Sequence, residues 1–64
     1  MIAIKQYEPT IGQLWTAPDH RQFRITDLMV QEDDAWVAYT NTQTQQEYTC
    51  RLEAFRQRFT PQVN

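Results

Sequence analysis

Residues 22–30 read Gln22-Phe23-Arg24-Ile25-Thr26-Asp27-Leu28-Met29-Val30. As far as Thr26 they alternate polar and apolar, the period of a strand with one face buried. At Asp27 the alternation slips, and Leu28 and Val30 take over the apolar phase. A β-bulge accounts for the slip, because one extra residue bends a strand and resets its phase. A sharply bent strand is what a small barrel needs. The sequence to either side is therefore read for further short strands.

On the N-terminal side, Gly12-Gln13-Leu14-Trp15-Thr16-Ala17 reads as a strand that starts at the only glycine. Pro18-Asp19-His20 is a turn: Pro presets φ and Asp can bond its own backbone. Further back, Ile2 and Ile4 alternate weakly as a lead-in arm or short first strand, and Pro9 breaks any ladder there. On the C-terminal side, Gln31-Glu32-Asp33-Asp34 is an acidic, exposed turn. Ala35–Thr40 is strongly β-prone, with Trp36 and Ala38 on one face and Val37 and Tyr39 on the other. Asn41–Gln46 is a polar turn, and Glu47–Arg51 is another strand, with Tyr48 and Cys50 on one face. A single glycine is few for so many tight turns, so the turns are expected to rely on Asn, Asp and Pro.

The last stretch changes period. Placed on a helix at 100° intervals, Leu52, Phe55 and Phe59 fall within about 60° of one another, inside a core-facing stripe. Arg56 borders that stripe and can lay its stem along it. Arg51 and Arg58 fall together on another side, so they are expected to share a surface. Pro61 stops the segment. The expected organisation is one domain over 1–64. It comprises a lead-in arm or short strand (1–10), barrel strands (11–51), a short helix (52–59) and a tail (60–64). Four or five short antiparallel strands at spacings near ten residues point to an all-β fold. At this length the economical form is a small SH3-like barrel plugged by the C-terminal helix, since closure removes exposed sheet edges.

The layout Gly12-Gln13-Leu14-Trp15, Phe23-Arg24-Ile25-Thr26, Val37-Ala38-Tyr39 and Leu52-x-x-Phe55-x-x-Arg58-Phe59 resembles short SH3-like-barrel proteins of unknown function. These are common in phages, prophages and other mobile elements. The resemblance spans most of Gly12 to Pro61. It implies the barrel fold and a mobile-element origin, and it brings no catalytic residues with it.

Totals narrow the function classes. Sixty-four residues hold one domain, and 41% hydrophobic content marks it as globular rather than disordered. So small a chain buries only about 60% of its unfolded surface. With one Cys and one His, neither an internal disulfide nor a Cys/His zinc set can supplement that core. Self-association or docking on a partner is the compensation left. The lone Cys50 fits a reducing compartment, and the MIAIKQYEPT start has the pattern of neither a signal peptide nor a membrane span, so a cytoplasmic protein is expected.

Catalysis is not expected. The chain lacks serine, which removes Ser-based triads. Cys50 sits at an apolar-phase strand position, the usual setting of a small buried Cys, and His20 sits in a turn. Glu32, Asp33 and Asp34 lack the ordered spacing and shaping glycine of a Ca²⁺ loop. One glycine cannot make a phosphate-cradling loop. No cofactor or metal is expected.

Binding remains. If the Ala35–Thr40 strand turns Trp36 or Tyr39 outward, that residue is an aromatic anchor of the hot-spot type. Glu32, Asp33 and Asp34 would form its charged rim, an arrangement suited to a protein partner. Trp15 is read as core. The alternative is a nucleic acid, held by Arg21 and Arg24 with Arg51, Arg56 and Arg58 beside exposed aromatics. A net charge of -2 gives that reading no overall attraction to phosphate. A third reading is a self-associating structural subunit, with an edge strand pairing to make a homodimer.

Overall fold

The computed structural model describes residues 9–62. The expected arm or strand around Ile2 and Ile4 lies outside the described residues. The elements are β1 (Leu14–Thr16), β2 (Gln22–Gln31), β3 (Asp34–Asn41), β4 (Glu47–Arg51), α1 (Leu52–Arg58) and β5 (Thr60–Pro61). The strands form one antiparallel sheet in the order β4-β3-β2-β1-β5. The chain is thus mainly β with a short helix near its C-terminus, as the patterns required. The sheet has two end strands, β4 and β5. One strand is additional to the sequence reading, which ends the elements at Phe59. Thr60 and Pro61 pair with Thr16 and Trp15. The Pro61 pairing is tolerated because β5 is an end strand, where Pro need not donate to a ladder.

The slip at Asp27 is a change of register. Ile25 pairs with Tyr39 and Asp27 with Ala38, so Thr26 has no residue opposite it. Directly opposed residues share a face. Phe23 and Ile25 before the bulge, and Leu28 and Val30 after it, therefore lie on the face that carries Tyr39, Val37 and Ala35. The bulge does what the apolar pattern demanded, with one difference. Phe23 and Ile25 are buried, whereas Leu28 is 39% and Val30 76% exposed.

That face is closed over its buried half by α1. The core comprises Trp15, Ala17, Phe23, Ile25, Val37, Tyr39 and Phe55, with Tyr48, Cys50, Leu52 and Phe59 packed at its margin. Phe55 is 0% exposed. Its ring lies 4.9 Å from Trp15, 4.9 Å from Tyr39 and stacks on Phe59 at 4.4 Å. Seven residues make a helix too short to stand alone. α1 lacks a side-chain cap at Arg51, so its stability comes from this apolar stripe. Glu53 in the first turn and Arg56 and Arg58 in the last complement the helix dipole. Trp15 also satisfies its indole: Nε1 donates to Gln13 Oε1 at 2.9 Å.

The turns solve the shortage of glycine in an unexpected way. Glu32 (φ 49°) and Asp33 (φ 69°) form a two-residue loop between the paired Gln31 and Asp34. Two positive φ values there mark a type I′ hairpin turn, normally an Asn-Gly position. His20 (φ 74°) and Gln45 (φ 69°) also adopt the left-handed region. Asn41 works instead through its side chain, whose Oδ1 accepts from the N–H groups of Gln43 (2.8 Å) and Thr44 (3.0 Å).

Candidate functional site

Strand alternation decides which aromatic faces solvent. Val37 and Tyr39 point into the core, and Tyr39 is 8% exposed. Tyr39 therefore cannot serve as a surface anchor: its ring packs against Phe23, Tyr48, Phe55 and Phe59. Burial, and then the neighbouring Cys50 thiol, push its hydroxyl up to about 12. Trp36, one residue away, is on the opposite, outer face and only half-buried.

The outer face is ordered by the ladder. Met29, Trp36 and Arg51 form one row across β2, β3 and β4. The Arg51 guanidinium lies 5.7 Å from the Trp36 ring centroid, a cation–π arrangement. Arg51 also approaches Asp34, Nη2 to Oδ2 at 3.8 Å. That exposed pair is worth less than about 1 kcal/mol and acts mainly to orient the guanidinium. The neighbouring row is Asp27, Ala38 and Thr49. Ala38 leaves Trp36 room along the strand. The result is a Met–Trp–Arg stripe edged by carboxylates.

The acidic turn stands at the end of this stripe. Asp33 and Asp34 line one side of a groove whose other side is Leu52, Glu53 and Arg56 at the start of α1. Among the expected partner-binding residues, Trp36 and Asp34 are joined through Arg51. Glu32 and Asp33 extend the rim, and Tyr39 drops out. Met29 is the member that the sequence reading missed. Its signal was present in the slip at Asp27, because a bulge before Met29 puts it on the face opposite Leu28 and Val30.

The arginines do not gather on one surface. Arg21 is bound to Asp19, Nε to Oδ2 at 2.7 Å, and lies over Phe23. A bond from the Arg21 backbone N–H is the main reason that the Asp19 carboxyl is held below its ordinary value. Arg24 Nη1 donates to the Gly12 carbonyl at 2.9 Å. Arg51 and Arg58, expected to share a surface, are separated. Arg51 has extended backbone (φ −67°, ψ 140°), so strand alternation directs it to Trp36 and the helical projection does not apply. It borders the groove with Arg56, whereas Arg58 lines a different hollow with Asp19 and Arg21.

Cys50 and His20 are not brought together either. Cys50 pairs with Val37, whereas His20 lies beyond the Gln22–Thr42 end of the hairpin. Those rows are about 16 Å apart along the strands. Cys50 instead packs at the core margin and directs its thiol to the Arg51 carbonyl at 3.4 Å. Among the described residues there is no cluster of His, Cys, Asp and Glu suited to a metal. Comparisons with protein-family models, curated proteins and solved structures find no match to this chain.

Proposed function

We propose that the chain is a small non-catalytic binding module that engages a protein partner through the outer face of β2–β4, with Trp36 as anchor. The observation that carries this reading is the Met29–Trp36–Arg51 row. The core is complete without Trp36, yet the largest side chain type stands half-exposed between a Met and an Arg. Those three residue types are enriched where protein interfaces concentrate their binding energy. The carboxylates of Asp27, Asp34, Asp33 and Glu32 supply the polar rim.

The fold reading that goes with this proposal is an SH3-like barrel. Four features support it: the meander β1–β4, the bulged second strand, the short helix before β5, and the return of β5 to β1. An accessory role in a phage or other mobile element, in a reducing cytoplasm, follows from the resemblance noted above and from the single thiol. Nucleic-acid binding is the weaker reading, because Arg21, Arg24 and Arg51 are each engaged by this chain's own carboxylate, carbonyl or ring and point to different places.

The test is photo-crosslinking from position 36. A benzoylphenylalanine at position 36 is expected to capture one discrete protein from cells of the source, and Trp36→Ala to lose that partner while staying folded, with stability within about 1 kcal/mol of the parent. Retention of the partner by Trp36→Ala would overturn the reading. So would a salt-sensitive gel shift with DNA or RNA that disappears on changing Arg21 and Arg24, which would instead establish the nucleic-acid alternative.

A further inference from the structure

Among the described residues, the second half of β2 is paired on one side only. Through Asp27–Gln31 it pairs with β3, whereas β1 pairs only with Gln22–Arg24. The direction of its free backbone groups follows from the ladder. Before the bulge, Ile25 faces β1: its N–H donates to the Gln13 carbonyl (3.0 Å) and its carbonyl accepts from the Gly12 N–H (2.8 Å). Gln22 faces β3, and its carbonyl accepts from the Thr42 N–H. The extra residue at the bulge reverses this parity. Beyond it, Asp27, Met29 and Gln31 face β3, and Leu28 and Val30 direct their N–H and C=O groups to the open side. The Leu28 N–H agrees with that assignment, since it bonds to its own neighbour's carboxylate, Asp27 Oδ1, at 2.8 Å. The Val30 N–H and the carbonyls of Leu28 and Val30 have no hydrogen-bond partner among the described residues. The Leu28 and Val30 side chains, 39% and 76% exposed, flank this open edge.

Charge is as uneven as pairing. From Ile25 to Cys50 the chain carries Asp27, Glu32, Asp33, Asp34 and Glu47 and no Lys, Arg or His. A second copy pairing antiparallel along the same edge would bring each Asp27 to the Glu32–Asp33 end of the other copy, like charge facing like charge, which is destabilising. We infer that the Asp27–Gln31 edge of β2 is a strand-addition site for an extended partner segment that alternates apolar and basic residues. Its backbone would donate to the Leu28 and Val30 carbonyls and accept from the Val30 N–H. Its apolar side chains would cover Leu28 and Val30, and its basic ones would meet Asp27 and the Glu32–Asp33 turn. Strand addition of this kind draws affinity from main-chain bonds and specificity from alternate side chains. Its apolar contacts are separate from the Trp36 face, since Leu28 and Val30 lie on the core side of the sheet and Trp36 on the other; Asp27 and the Glu32–Asp33 turn are shared with the rim of that face.

The probe is an acetylated, amidated heptapeptide alternating Lys and Val, titrated into the full chain and followed by amide hydrogen exchange and NMR shifts. Slow exchange appearing at the Val30 amide on peptide addition is expected, with shifts confined to residues 27–33. A Glu/Val peptide is expected to bind at least tenfold more weakly. Val30→Pro removes the outward N–H but no bond to β3, so it is expected to keep the fold and lose at least tenfold in affinity. Leu28→Lys, which places a cation on the edge without touching the backbone, is the second variant and is expected to weaken the Lys/Val peptide as well. Three results would overturn the inference: a Val30 amide already protected in the dilute protein alone, protection that grows with protein concentration without peptide, or equal binding of the Lys/Val and Glu/Val peptides.

Discussion

Replacing Phe55 with alanine tests whether α1 is a plug or an ornament. The ring is fully buried and touches Trp15, Tyr39 and Phe59. A buried aromatic removes 150–250 Å² from water, which at about 25 cal/mol per Å² corresponds to roughly 4–6 kcal/mol as an upper bound. Large-to-small changes at such sites cost about 3–5 kcal/mol. A domain of this length has about 3–10 kcal/mol of total stability. Phe55→Ala is therefore expected to remove most of it, and to unfold a large fraction of the chain at 37 °C. Urea denaturation followed by Trp fluorescence is the assay, since Trp15 lies against the ring. Arg58→Ala, on the exposed side of the same helix, is the control and should shift stability by no more than about 0.5 kcal/mol. A Phe55→Ala midpoint within that same margin of the parent would refute the packing argument. It would mean that α1 contributes nothing to the core.

The type I′ turn should accept improvement. Glu32→Asn with Asp33→Gly places the preferred pair at two positive-φ positions and is expected to raise stability by about 0.5–1.5 kcal/mol, or several degrees in melting temperature; an unchanged or lower Tm counts against the turn assignment. Asn41→Ala removes an acceptor serving two backbone N–H groups and should cost about 1–2 kcal/mol, whereas Asn41→Asp, which keeps the oxygen, should cost less. Tyr39 titrates at about 12 in the folded chain against an ordinary 10.0, so the folded state holds a proton that the unfolded chain gives up. Its contribution is whole below about pH 10 and is lost as pH rises to about 12. Chemical denaturation at pH 9 and 11 should show a steeper fall for the parent than for Tyr39→Phe, and parallel curves would contradict the buried hydroxyl. Trp36→Ala should leave stability within about 1 kcal/mol of the parent, in contrast with Trp15→Ala, which should lose about 3–5 kcal/mol.

Local pattern carried the strand and helix assignments because each rests on a short-range period. The bulge at Asp27 was readable from a phase slip of one residue. Glu47–Arg51 was readable as a strand and Leu52–Phe59 as a helix, one residue longer than α1 because Phe59 is already extended; the period changes from two to 3.6 at Leu52. The core list was readable for the same reason: Trp15, Phe23, Ile25 and Phe55 each sit in the apolar phase of their element. The turns were placed correctly but their chemistry was not, since composition does not announce that Glu32, His20 and Gln45 will take positive φ.

What the amino-acid sequence determined alone is β1 to β4, α1 and the apolar stripe of each; β5, read as tail, exists only through its pairing with β1. What only the tertiary structure decided is which of two equivalent faces is inside, and where each element ends against another. On β3 both faces carry an aromatic, so alternation could not choose between Trp36 and Tyr39. The choice was made by Phe23 and Ile25 across the strand pair and by Phe55 from α1, which together cover Tyr39. Arg51 likewise belongs to a strand or a helix by a difference of one residue, and that difference moves its guanidinium from the Arg58 side to the Trp36 ring. Leu28 and Val30 are in the core phase and yet exposed, because β2 runs beyond β1 and α1. Periodicity records the face a side chain takes; whether anything lies over that face depends on the lengths of the neighbours, which are non-local.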